Sequence, residues 1–295
     1  MRARSACAAK PLLRVVALCL ALQASLGFLA SRKLRLNHQR AHRCRLSAGS
    51  VEDVVDVAPL FHRIVAAWPQ STLVQIGACD GDFGDEASSN DPVQRLLLQQ
   101  PAMRALLVEA NPAVFATLLS KVEQRFPGGR VTAVNVAVTN GSCREAPFFV
   151  VSPKFAEDFP RKAFHWACFQ LGSMDRQHVA KHHVHVGLSE HDFAKYIEEI
   201  LVPALTPAAL LKASSLRPEA VSILAVDAEG FDDVIVRAFL QLPGFEPRLI
   251  SFEVAHLDVV EKEQMIRLLA ERGYKTAWAQ TDMSEDGRGD LIAWK

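Results

Sequence analysis

Seven side chains that accept or carry protons fall where strand-like runs end. They are Asp80 in "LVQIGACDGDFGD", Glu109 after "RALLV", Asn135 in "RVTAVNVAV", Asp227 and Glu229 in "VSILAVDAEG", and Glu253 and His256 in "RLISFEVAHL". Carboxylates and an imidazole in one place suit proton removal from a hydroxyl, and carboxylates also accept hydrogen bonds from a diol or an ammonium group. Beside the first of them run Gly77, Ala78 and Gly81, small residues that let the backbone turn and approach a ligand closely. No lysine or arginine lies between Leu73 and Asp85. A phosphate-gripping GxxxxGK[ST] loop is thereby excluded. The glycines read GxxxGxxG, and Glu109 follows Gly77 by 32 residues. A dinucleotide fingerprint has GxGxxG with an acid about 20 residues on.

Positioning these groups requires strands that alternate with helices. "LVQI" reads as a buried strand, "RALLVEA" as a second and "RVTAVNVAV" as a third. Asn111 and Pro112 are suited to capping and starting a helix with Phe115, Leu118, Leu119 and Val122 on its apolar stripe. "VSILAVDAEG" and "RLISFEVAHL" read as the fourth and fifth strands, and Thr206–Pro207 restarts a helix before them. A helix through Met265, Leu268 and Leu269 stops at Gly273, and "YKTAWAQ" and "DLIAW" close the chain as an antiparallel pair. The pattern predicts an open, mostly parallel α/β sheet with helices on both faces and a C-terminal antiparallel hairpin. Ligands of such sheets bind beyond the carboxyl ends of the strands, where all seven residues fall. The stretch from Asn140 to about Pro203 reads as the least regular part, covering the site.

An acidic, glycine-bearing loop suits a ligand with an ammonium group, a ribose diol and a positive centre, and S-adenosylmethionine has all three. Glu109 is placed for the ribose hydroxyls, Asp80 for the ammonium and Asn135 for the adenine edge. "IGACDG", "LLVEANPAVFATL", "VNVAV", "VPALTPAALLKA", "ILAVDAEGFDD" and "ISFEVAHL" resemble, in order, the motifs of the FkbM-type methyltransferase family, and "DLIAW" resembles its closing strand. The resemblance spans residues 70–295. It implies a class I, Rossmann-like fold with a seven-stranded sheet that methylates a hydroxyl of a sugar or other small molecule. Cys79 stands where that family usually has Asn, and Gln75 where many class I enzymes carry an acid. Ser173 resembles a family serine near the site entrance; it also suits a cap for a helix beginning around Asp175.

Methyl transfer to a hydroxyl needs the acceptor aligned and its proton removed. Asp227, Glu229 and His256 are the catalytic candidates. Asp227 equally suits a helix cap, Glu229 a first-turn carboxylate, and His256 a cap or packing residue. Converging, the three would also suit Mg²⁺, although no motif demands a metal. His178 and His182 are four apart on one helical face, but no HExxH acid lies between them, so a polar loop is the expectation there. An NAD-dependent oxidoreductase, a cofactor-binding module without turnover, and a carboxylate–metal hydrolase stand as rivals.

Charge divides the chain. Residues 1–50 hold ten Lys/Arg and no Asp or Glu. Taking these from the totals of 33 and 33 leaves 23 basic against 33 acidic side chains in 51–295, a formal charge of −10. A body so acidic argues against nucleic acid as partner. The basic end reads as targeting sequence, a signal peptide over about 1–27 followed by a transit-like stretch over 28–50. This resembles a bipartite plastid presequence; a secretory or Golgi signal-anchor is the alternative, and the Asn140–Ser142 sequon would suit that route. Membrane contact is expected only through this segment, leaving 51–295 as one domain. The acceptor and the oligomeric state are not encoded in any motif.

Overall fold

The computed structural model describes residues 54–55, 57–81, 92–141, 143–162, 166–168, 170–279 and 289–295. The targeting segment, Asp82, Gly84 and Asp85 lie outside the described residues. No helix of the described residues is long and apolar enough to cross a membrane.

The strands in chain order are β1 (Val54–Val55), β2 (Thr72–Ile76), β3 (Arg104–Glu109), β4 (Val131–Asn135), β5 (Ala137–Val138), β6 (Glu145–Val151), β7 (Gly172–Ser173), β8 (Ile197–Leu205), β9 (Val221–Val226), β10 (Leu249–Glu253), β11 (Lys275–Ala279) and β12 (Asp290–Trp294). The main sheet runs β1-β11-β12-β10-β9-β2-β3-β4. β12 is antiparallel to both neighbours, and every other pairing is parallel. All seven expected strands are present, with the last inserted between the fifth and sixth. This order is that of the class I methyltransferase (Rossmann-like) fold. Short β1 adds an eighth strand beyond β11.

Continuous apolar strands arise because helices cover both faces of the sheet. Leu73 and Ile223 pack with Phe61, Leu97 and Leu118 on one side. Their chain neighbours Val74 and Leu224 pack with Phe239, Met265 and Leu269 on the other. Asn111 caps the helix Pro112–Arg125 as expected, its side chain accepting from Ala113 N. That helix buries Val114, Leu118 and Val122, so the core stripe is turned slightly from the one read in the sequence.

Two expectations need correction. "RVTAVNVAV" is not one strand: β4 stops at Asn135, and β5 joins a second sheet of order β5-β8-β6-β7. The middle region is not irregular either, since seven-residue β6 and nine-residue β8 pair antiparallel from Glu145↔Pro203 to Val151↔Ile197. Short helices between them close a separate core around Phe155, Phe193 and Val179.

Candidate active site

The chain turns outward at the boundary between β2 and β9, the strands at which sheet order reverses. There Asp227 N donates to Ile76 O (2.9 Å). Gly77 turns with φ +76°, and a Cβ added to it would lie 1.6 Å from the Asp227 carbonyl oxygen. Only glycine fits that approach. Ala78 follows, buried, with its amide and that of Gly77 both donating to Val108 O. Cys79 (φ +49°) and Gly81 (φ +60°) complete a tight turn.

That turn is tied to Glu109 at the end of β3. Cys79 N donates to Glu109 Oε2 (2.9 Å) and Asn111 N to Oε1 (2.7 Å). A carboxylate offers about four acceptor positions, so these two amides leave about two for a ligand. Burial pushes Glu109 up to about 7, against the pull of the Asn111, Cys79 and Ala110 amides. Burial likewise pushes the Cys79 thiol up to about 12, which keeps it protonated. Asp80 forms an ion pair with Lys121 at 2.7 Å, a cation that sequence spacing gave no reason to place there. Asn135 lies beside Glu109 and donates from Nδ2 to the carbonyls of Glu109 (2.8 Å) and Ala110 (3.0 Å). Its amide thus braces the turn after β3.

Across the switch point stands an acidic cluster. Asp227 is open to water, yet protein surrounds it on its other sides. Its carboxyl is held well above the usual carboxylate range by burial and by Glu229, Asp232, Glu253 and Asp290. It does not cap the following helix. Among the described residues no side chain caps that helix; Asp232 in its first turn instead ties down the preceding loop, accepting from Ala228 N (3.1 Å) and Gly230 N (3.3 Å). Asp232 is fully buried, and burial with Glu253 nearby pushes it up to about 7. Glu253 at the end of β10 and Asp290 at the start of β12 are also raised, mainly by burial.

Glu229 and His256 share this neighbourhood without touching each other. Glu229 holds a left-handed backbone (φ +49°), a conformation uncommon outside glycine and found at constrained sites. Ser173 Oγ donates to Glu229 O (2.7 Å) and accepts from Asp175 N (3.0 Å). The helix cap is Asp175 itself; Ser173 instead ties the inserted region to the end of β9. The Glu229 carboxylate meets His178 Nε2 at 2.9 Å, and Lys181 Nζ lies 3.1 Å from His178 Nδ1. His256 stands 3.8 Å from Asp233 and 4.0 Å from Glu253, distances of ion pairs rather than hydrogen bonds. Burial works against its charge, but Asp233, Asp232 and Glu253 outweigh that and raise it.

His178 and His182 therefore belong to the site and not to a polar loop. His178 is buried. Burial holds His182 down at about 4, although Glu229 pulls the other way. Neither ring nitrogen of His182 has a hydrogen-bond partner among the described residues; leaving a buried polar group so costs roughly 1–3 kcal/mol. Sequence reasoning missed the assembly because its acid comes from 47 residues downstream of His182. A hollow along Leu119, Val122, Phe126 and Val131 touches none of these residues.

No protein-family model matches the chain, and no curated protein does. Solved structures similar to it include precorrin-6y C5,15-methyltransferase from Geobacter metallireducens (12% identity, 84% of this chain and 93% of that one, TM-score 0.37). Another is an O-methyltransferase from Bacillus cereus in complex with SAH (12% identity, 90% of each chain, TM-score 0.39). A third is Aeropyrum pernix fibrillarin with natively bound S-adenosyl-L-methionine (14% identity, 76% of this chain and 66% of that one, TM-score 0.33).

Proposed function

We propose that this protein is an S-adenosylmethionine-dependent methyltransferase acting on a hydroxyl of a sugar or other small molecule. One observation carries the reading: the Gly77–Gly81 turn and the Glu109 carboxylate stand side by side at the carboxyl ends of β2 and β3, next to the switch point. Bound there, the cofactor would supply an electrophilic methyl group. Glu109 holds the ribose diol with the acceptor positions its two amides leave. Asp80, already paired with Lys121, faces a weaker claim on the ammonium than its position in the sequence suggests. Asn135 fixes the turn that the adenine would pass.

On the other side of the switch point, Asp227 makes no hydrogen bond through its carboxylate to any described residue. In its ionised form it is the group best placed to take the acceptor's proton as the new carbon–oxygen bond forms and the carbon–sulfur bond breaks. Glu229, braced through His178 and Ser173, and His256, beside Glu253, line the acceptor side.

Calorimetric titration of the full chain with S-adenosylmethionine, alongside NAD, tests the reading. Micromolar binding that Glu109→Ala weakens by more than about tenfold, roughly 1.4 kcal/mol, is the expected result. Binding of NAD without binding of S-adenosylmethionine would return the chain to the oxidoreductase alternative.

A further inference from the structure

The histidine-rich segment gains a partner in three dimensions that it lacks in sequence. The helix Arg176–Lys181 and its C-terminal residue put His178 and His182 four apart, with ring centroids separated by 5.4 Å. Glu229 arrives from the end of β9, held in its left-handed turn. Ligand atoms of His178, His182 and Glu229 all lie within 4.8 Å of one another. Two of them, His178 Nε2 and Glu229 Oε2, are already 2.9 Å apart. Neighbouring ligands of a tetrahedral cation with bonds of about 2.0–2.2 Å stand roughly 3.3–3.6 Å apart, so this hydrogen-bonded pair has only to open by about 0.5 Å to admit the ion. His182, whose shielded ring nitrogens have no hydrogen-bond partner among the described residues, faces the same place.

We propose that His178, His182 and Glu229 form a binding site for one late first-row divalent metal ion, zinc being the ion with which to test it. Two imidazoles and one carboxylate favour zinc and its neighbours over magnesium or calcium, which take oxygen ligands. Bonding through His178 Nε2 moves that ring's proton to Nδ1. The Lys181 ammonium, exposed at 3.1 Å, then turns out to solvent. Ser173 supports the site from behind by fixing the Glu229 carbonyl. Asp232, Glu253 and His256 form a second group with the same spacing. It is the poorer site, because both oxygens of Asp232 already accept the Ala228 and Gly230 amides. The inference goes beyond methyl transfer and does not depend on it, since metal binding is measured without cofactor or acceptor.

The test is titration of the chelator-stripped full chain with Zn²⁺, by calorimetry and by tryptophan emission, since the Trp166 ring stands edge-on to His182 at 5.4 Å. The wild type should bind one ion more per chain than His182→Ala, with emission changing in step and Mg²⁺ failing to compete. Glu229→Gln, isosteric and therefore the safer variant for folding, should weaken that ion at least tenfold, with circular dichroism confirming both folds. Equal zinc binding by wild type and both variants overturns the proposal. So does loss of the ion in His256→Ala but not in His182→Ala, which would move the metal to the second group. Equal affinity for Mg²⁺ overturns the assigned metal class.

Discussion

Glu109 is the residue on which cofactor recognition turns, and its ionisation sets a measurable pH dependence. Its carboxyl is pushed up to about 7 by burial. Above that pH it is a carboxylate with acceptor positions to spare; below it, the added proton removes one of them. Affinity for S-adenosylmethionine should therefore be about tenfold weaker at pH 6 than at pH 8, as read by calorimetry at the two values. Glu109→Gln, which cannot ionise, should bind weakly and without that slope. A wild-type affinity that does not change across the same window would show that the diol is held elsewhere. Glu109 was legible in the sequence because an acid closing a buried strand is rare without a partner. Lys121 on Asp80 was not legible, because it comes from a different helix 41 residues away.

At the level of elements, the site depends on how closely β2 and β9 come together. A methyl group on Gly77 has no room beside Asp227 O, and φ +76° strains any L residue. Gly77→Ala should destabilise the fold by about 2 kcal/mol or more and abolish cofactor binding, as urea unfolding and titration would show. Full retention of both would mean that the turn opens without cost and is not a fixed cradle. The strands of the main sheet and their caps were readable because each is a local pattern: an apolar run, then Asn111–Pro112 or Thr206–Pro207. β6 and β8 were not. Their partners lie 46 to 58 residues apart, and Pro147, Pro203, Glu198 and Glu199 interrupt the apolar alternation that announces a strand. What holds such strands is pairing with each other, which no short window of sequence contains.

At the scale of the whole molecule, carboxyls raised by burial gather at one end of the main sheet. Glu109 and Asp232 are both raised to about 7 from their ordinary values of 4.5 and 3.8, and Glu253 and Asp290 move the same way. The folded protein thus keeps protons that the unfolded chain releases between about pH 4 and 7. The depressed His182 opposes this below about pH 6.5, but several raised carboxyls outweigh one imidazole, so stability should fall as pH rises through that window. Thermal unfolding of the ligand-free chain at about pH 5, 6, 7 and 8 should show a steadily decreasing Tm. A Tm that climbs with pH instead would mean that these groups are ionised and well paired in the fold.

Local chemistry in the sequence determined the order of strands and helices, the glycine turn and the strand-end acids. Each of these follows from residue type and near-neighbour spacing. Only the tertiary structure decided which groups meet. It set Glu229 against His178 and His182, and it left the Asp227 carboxylate without a hydrogen-bond partner among the described residues at the switch point. The histidine contacts join segments about 50 residues apart, and the physical reason is plain: a carboxylate's partner is chosen by where the sheet and its insertion bring the chain back, and by which charges burial obliges to pair.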